Sequence, residues 1–245
     1  MLAIIGGSGL TQLSSLEALR REVSRTPYGE PSGALTFGRL AGCEVVFLAR
    51  HGYGHTIPPH RVNYRANIWA LKAAGATSLV SVASVGGIRQ DCVPGALVVP
   101  NQILDYTWGR AHTFFDGLDE LVRHIDFTLP YDEEVRRRIL HAVREADVEV
   151  IDGAVYATTQ GPRLETAAEV DRFERDGADV VGMTGMPEAV LARELELPYA
   201  AINVVANYAA GRGASAQNVR FERVEQVLHE AMLRVRNVLA HLCRQ

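Results

Sequence analysis

Five stretches carry side chains or backbone suited to holding a small polar ligand. The densest is Arg50-His51-Gly52-Tyr53-Gly54-His55-Thr56, where a guanidinium, two imidazoles and a hydroxyl share a glycine-rich loop behind an apolar run. Loops at strand ends are the usual home of α/β active sites. Arg50 with His51 suits a phosphate, because charge-assisted bonds to its oxygens are short and strong. A metal held by His51, His55 and His60 is the weaker reading, since no cysteine or carboxylate joins them nearby and the spacing falls on a Gly/Pro loop; no metal is expected. The second stretch, Gly6-Gly7-Ser8-Gly9, follows the apolar run 2–5. Backbone N–H groups in such a turn approach an anion closely, and Ser8 adds a hydroxyl. A dinucleotide fingerprint would need a third glycine where Gln12 stands. Ala83-Ser84-Val85-Gly86-Gly87 reads as another strand-to-glycine turn. In Gly182-Met183-Thr184-Gly185-Met186-Pro187-Glu188, Pro187 suits the first helical position and Glu188 the first turn. Thr184 then precedes a helix N-terminus, where it either helps bind an anion or merely caps the helix. Finally, Asn207 ends an apolar run, as a ligand-reading amide or as a turn residue.

Composition removes several alternatives. Of 25 basic residues only Lys72 is a lysine, so no GK[ST] phosphate loop exists and a Walker ATPase is excluded. The formal net charge of −4 offers no excess of cations to displace the counterions of a nucleic acid. Cys43, Cys92 and Cys243 are scattered and form no CxxC, which fits a reducing, cytoplasmic setting. The N-terminal MLAIIGGSGL reads as a strand entering the fold, without a basic leader, and no run approaches the ~18 apolar residues of a membrane span. Neither nucleic acid nor membrane is expected as a partner.

The elements that must position these stretches alternate along the chain. Strands are predicted at 2–5, 43–49, 78–82, 96–99, 153–158, 179–181 and 198–205, several as continuous apolar runs of the kind covered on both faces. Helices are predicted at 62–74, 131–146 and 221–242, the last with a stripe from Phe221 and Val224 to Leu242. The pattern implies an α/β fold: one domain over residues 1–245, with a central mixed β-sheet, partly barrel-like, flanked by helices.

Taken in order, GGSGL (6–10), RHGYGHTIPPHRVNYRANIWALK (50–72), SVGGIR (84–89), FFDG (114–117), TQGPRLET (159–166), GADVVGMTGMPE (177–188) and VANY (205–208) resemble the trimeric branch of the purine nucleoside phosphorylase family, its methylthioadenosine-cleaving members above all. The resemblance spans nearly the whole chain. It implies the nucleoside phosphorylase fold, a homotrimer, phosphate as co-substrate and no cofactor. Phosphate would meet Ser8, Arg50, His51, the Ser84 backbone N–H and Thr184. The purine would lie against Leu164 and Val181, and the ribose near Met183. His55 and, from a neighbouring subunit, His124 would close the 5′ end. Asn207, His51 and Arg50 would be the catalytic residues.

Departures from the family pattern bear on the substrate. Adenine-reading relatives carry Asp-x-Asp where Asn207 and Ala209 stand. An Asn amide can donate to O6 and accept from N7–H of a 6-oxopurine. Glu165 matches a glutamate that accepts N1–H in the 6-oxopurine enzymes, a proton that adenine lacks. Val219, Phe221 and Val224 would suit a 5′-methylthio group, although Phe221 and Val224 equally begin the core stripe. The implied reaction is phosphorolysis of S-methyl-5′-thioinosine to hypoxanthine and 5-methylthioribose 1-phosphate. The alternatives are an inosine/guanosine phosphorylase and a methylthioadenosine phosphorylase. From other classes, a dinucleotide-dependent oxidoreductase lacks the third glycine, and a non-catalytic nucleoside sensor would bind without turnover.

Overall fold

The computed structural model describes residues 1–11, 13, 15–117 and 122–245. Its strands join one eleven-stranded mixed sheet, with the path β2-β3-β4-β1-β5-β10-β9-β7 and a branch β11-β6-β8 from β5. The strands are β1 (Leu2–Gly6), β2 (Glu17–Glu22), β3 (Leu35–Leu40), β4 (Cys43–Ala49), β5 (Ser78–Gly87), β6 (Leu97–Val99), β7 (Gln102–Asp105), β8 (Ile151–Asp152), β9 (Val155–Thr158), β10 (Val180–Gly182) and β11 (Tyr199–Tyr208). The helices are α1 (Tyr64–Ala73), α2 (Glu133–Glu145), α3 (Ala167–Arg175), α4 (Gly185–Glu194) and α5 (Phe221–Cys243). Helices α2 and α5 close one face around Ile139, Val235 and Leu239, while α1 and α4 close the other around Ile68, Leu71 and Leu191. Strands β1, β4, β5 and β11 are thus buried on both faces, which accounts for their unbroken apolar runs.

The fork at β5 creates the site. One edge of β5 pairs with β11 along almost its whole length. The other edge pairs with β1 only as far as Gly6↔Val82, then with β10 from Gly86↔Val181. Residues 83–85 lie between these ladders with that edge open. β5 therefore runs straight through Gly87, and the glycine turn expected at 83–87 is instead strand. Gly87 is required by close approach: a Cβ there would meet the Cys92 carbonyl oxygen at 1.9 Å.

Other expectations shift in detail. Strand β11 extends to Tyr208, so Asn207 belongs to a strand and not to a turn. The buried face of α1 is Tyr64, Ala66, Asn67, Ile68, Ala70 and Leu71, and Ala73 at its C-terminal end is exposed. Strand β2 was not predicted because all six residues are exposed, leaving no alternation to read. Helix α3 carried a local signal in Thr166-x-x-Glu169, whose side chains make a reciprocal capping box.

Candidate active site

A cavity of about 700 Å³ opens at the gap in β5. It gathers Ser8, Arg50, His51, His55, Ser84, Leu164, Glu165, Val181, Met183, Thr184, Asn207, Val219, Phe221 and Val224. His124, the remaining predicted site residue, is exposed and lies off this cavity. Among the described residues no three His, Cys, Asp or Glu side chains gather as a metal site, and no helix is long and apolar enough to cross a membrane.

One end of the cavity is built from strand ends. The chain leaves β1 through a turn closed by Leu10 N–H to Gly7 O at 3.0 Å, which carries Ser8 to the rim. Gly7 N–H and an Arg50 Nη1–H both donate to Val82 O, at 3.0 and 3.1 Å. Backbone polar groups of a strand alternate in direction, so the Ser84 N–H points to the same side as Val82 O, into the open edge. Thr184 follows β10 and is buried. It makes no side-chain cap, and Met186 has non-helical φ/ψ, so regular helix begins at Pro187 and the Thr184 hydroxyl is left for the cavity.

Arg50 is fully buried and largely committed. Its Nε donates to Glu188 Oε2 at 2.7 Å; its Nη2 donates to Glu188 Oε1 at 3.0 Å and to Ser81 Oγ at 2.6 Å. Tyr199 donates to the same carboxylate at 3.0 Å. Burial opposes the guanidinium charge, but Glu188 more than restores it and raises the Arg50 pKa. Of the five N–H groups, one on Nη1 remains after Val82 O is served. Nη1 lies against Gly7, where a Cβ would sit 2.6 Å away. Arg50 thus offers a ligand a single donor, its charge already balanced by Glu188.

His51 is held by Ile57: the ring Nδ1 lies 2.8 Å from Ile57 O, and Ile57 N–H returns a bond to His51 O at 3.1 Å. A carbonyl only accepts, so Nδ1 carries the proton and Nε2 holds a lone pair in the neutral ring. Burial, then Arg50, pulls the His51 pKa down to about 4. Near neutral pH the ring is uncharged, and Nε2 can accept from a hydroxyl or protonated phosphate but not donate. His55, with φ +50°, packs against His51 with ring centres 4.7 Å apart and planes inclined at 52°, and reaches Ser8 Oγ at 3.4 Å through Nε2. Tyr53, in the middle of the loop, donates its OH to Ala34 O at 2.9 Å.

The other end is shaped for a planar polar ligand. Between Val205 and Asn207 the β11–β5 register shifts by a bulge, which re-aims the Asn207 side chain. Asn207 Nδ2 donates to Tyr208 O at 2.6 Å, fixing which end is the amine and leaving Oδ1 and one N–H. Glu165 Oε1 accepts from Thr159 Oγ at 2.6 Å, leaving Oε2 free. Burial raises the Glu165 pKa, with the Thr159 bond opposing. The segment that carries Leu164 and Glu165 is anchored by Arg163, bidentate to Glu169 at 2.7 and 2.8 Å. That contact, with the Thr166 backbone, holds the Glu169 pKa down to about 2.

Phe221 is 63% exposed and Val224 half-buried, both at the cavity wall, while the buried stripe of α5 starts at Leu228. Phe221 stands outside the core, whereas Val224 lines the cavity and also packs against the core. Glu188, Ser81, Tyr199 and Thr159 were not anticipated from sequence. Glu188 had a sufficient local role in the first turn of a helix, and only its position in an apolar run hinted at a buried partner.

The profile of the phosphorylase superfamily matches residues 1–244. The chain belongs to the phosphorylase superfamily. It is 53% identical, over 98% of its length and 97% of the relative's, to a probable S-methyl-5′-thioinosine phosphorylase of Pseudomonas syringae pv. tomato. It is 46% identical to a 6-oxopurine nucleoside phosphorylase of Pyrococcus furiosus, over 86% of this chain and 80% of that one. Among solved structures, methylthioadenosine phosphorylase from Schistosoma mansoni in complex with adenine superposes with a TM-score of 0.94 at 33% identity, covering 99% of this chain and 90% of the other. The superfamily fold is thus the mixed sheet with flanking helices described above, and the enzyme is a nucleoside phosphorylase of the pentosyltransferase type.

Proposed function

We propose that this phosphorylase cleaves S-methyl-5′-thioinosine with inorganic phosphate, giving hypoxanthine and 5-methylthioribose 1-phosphate. The observation that carries the reading is the polar pair at the base end. Asn207 has an acceptor and a donor free, and Glu165 has one carboxylate oxygen left after Thr159. A 6-oxopurine presents N1–H to that oxygen, while adenine presents a lone pair. A buried polar mismatch of this kind discriminates bases strongly. As the glycosidic bond loosens, charge builds on the leaving base. Asn207 would hold N7 and O6, and Glu165 would hold N1–H. Leu164 and Val181 would pack the ring.

Phosphate would lie at the β5 gap against Ser8 Oγ, Thr184 Oγ, Ser84 N–H and the free Arg50 N–H, and attack C1′ as the sugar becomes cationic. Catalysis then rests on positioning and electrostatic stabilisation, with no covalent enzyme intermediate and no cofactor. Neutral His51 would accept a proton-bearing oxygen through Nε2. Met183 would border the ribose. Val219, Phe221 and Val224 form an apolar wall suited to methylthio and unsuited to a hydroxyl. The reading includes one functional unit over 1–245, a cytoplasmic homotrimer and a 5′ end closed by His55 and a neighbouring subunit's His124.

Incubation with methylthioinosine should release hypoxanthine and the sugar 1-phosphate only when phosphate is present. Hydrolysis without phosphate, or binding without turnover, would overturn the reading.

A further inference from the structure

Arg110 lies between the signature stretches 84–89 and 114–117; it is buried, and its guanidinium is completely used. Nη1 donates to Met183 O at 2.8 Å and Met186 O at 2.6 Å, with Tyr64 OH at 3.3 Å. Nη2 donates to Thr159 O at 3.1 Å and Gln160 O at 2.8 Å, and Nε to Gln160 Oε1 at 3.1 Å. The acceptors fall into two groups. Met183 and Met186 bracket Thr184, one of the anion-facing hydroxyls. Thr159 and Gln160 lead into Glu165, and Thr159 also holds the Glu165 carboxylate through its hydroxyl. One planar side chain therefore ties the segment after β10 to the segment after β9, beyond the pairing of β10 with β9 that ends at Gly182↔Thr158. Tyr64, at the start of α1, backs the fork and donates onward to Pro59 O at 3.0 Å.

We propose that Arg110 is a positioning residue that sets the distance between the phosphate end and the purine end of the cavity. The proposal rests on the assignment of those two ends given above. Attack at C1′ requires phosphate and base to be held across the sugar at a fixed separation. Thr159 joins the strand ends through its N–H and hydroxyl to Gly182 O at 2.7 and 3.3 Å, and Arg110 extends the tie to Met183 and Met186 on either side of Thr184. Its carbonyl acceptors diverge over the planar fork in a way that an ammonium on a flexible stem cannot reproduce.

Arg110→Met and Arg110→Lys test this. KM for phosphate, KM for nucleoside and kcat are measured with melting temperature as a control. Loss of the clamp should raise both KM values and lower kcat/KM about 100-fold, the cost expected for a misplacement near 1 Å. Lys should rescue little, although it keeps the charge. A fold defect alone lowers the active fraction and leaves KM untouched. Wild-type KM values in either variant, a rise in only one of the two, or full rescue by Lys would overturn the proposal; Arg110→Lys decides alone if Arg110→Met does not fold. The variants are assayed on whichever nucleoside the wild type cleaves, so an error in base or 5′ preference leaves the test intact. A wild type with no phosphate-dependent cleavage would remove the functional reading itself.

Discussion

Replacing Glu165 by Gln should convert the base preference. Thr159 Oγ donates to Glu165 Oε1 at 2.6 Å. In the variant that donor keeps the amide oxygen, so the amide NH2 turns toward the base. A 6-oxopurine then meets donor against donor at N1–H, while N1 of adenine gains a donor. Hydrogen bonds to a charged partner contribute about 1.5–3 kcal/mol. At about 1.4 kcal/mol per decade, that is a loss of roughly 10- to 150-fold in kcat/KM for methylthioinosine. The ratio of methylthioadenosine to methylthioinosine cleavage should rise by at least that factor. A pH dependence accompanies it. Burial raises the Glu165 pKa, so the accepting carboxylate is lost, as pH falls, at a higher pH than an ordinary carboxylate would be. The wild type should lose activity on methylthioinosine through that raised value, and Glu165→Gln should lack this limb. Phosphate titrates alike in both enzymes and cancels in their ratio. Base release measured from pH 5 to 8.5, a window of about two units around neutrality, supplies both readouts. An unchanged base ratio together with the same acid limb would refute the role assigned to Glu165.

The double substitution Asn207→Asp with Ala209→Asp should also raise the adenine to hypoxanthine cleavage ratio, by about tenfold or more for one regained charged hydrogen bond; competition between the two nucleosides measures it. Phe221→His should shift the 5′ preference toward inosine, because burying a methylthio group at this wall contributes about 1–2 kcal/mol and the imidazole would favour the hydroxyl; kcat/KM for inosine relative to methylthioinosine is the readout. His51 should be neutral at pH 6. Its pKa is lowered to about 4, so the stability it contributes is present above its unfolded value and is lost as pH falls from there toward 4. By pH 5 that loss is about 2 kcal/mol, and it should be absent from the difference between wild type and His51→Gln in urea titrations at pH 7 and pH 5 only if the ring is not buried as described.

Much of the site was legible because its parts sit at strand ends. Ser8, the Arg50–His51 pair, Thr184 and Asn207 each follow an apolar run, and an α/β sheet delivers such positions to a common edge. Pro187 located the helix start behind Thr184, even though the regular turn excludes Met186. What stayed hidden were long-range relationships. Arg50 and Glu188 are 138 residues apart and each had a plausible local role, so nothing in either segment announced a buried pair. That pairing reduces Arg50 from a free clamp to a single donor. Neutral His51 was equally invisible, since its proton is placed by Ile57 O within a turn. The aim of Asn207 depends on a bulge, which a residue count cannot reveal. The stripe on α5 was continuous in sequence, and its first turns serve two surfaces: Val224 and Leu228 both line the cavity and pack with the core, while only Phe221 leaves the core altogether.

The central claim is that this phosphorylase reads a 6-oxopurine and a methylthio group together. The most direct test is a competition of methylthioinosine, inosine and methylthioadenosine for the enzyme at saturating phosphate, with relative kcat/KM taken from the depletion of each nucleoside. Methylthioinosine should be consumed first by a wide margin. Preference for methylthioadenosine would contradict the assignment of Glu165 and Asn207, and preference for inosine would contradict the apolar wall of Val219, Phe221 and Val224.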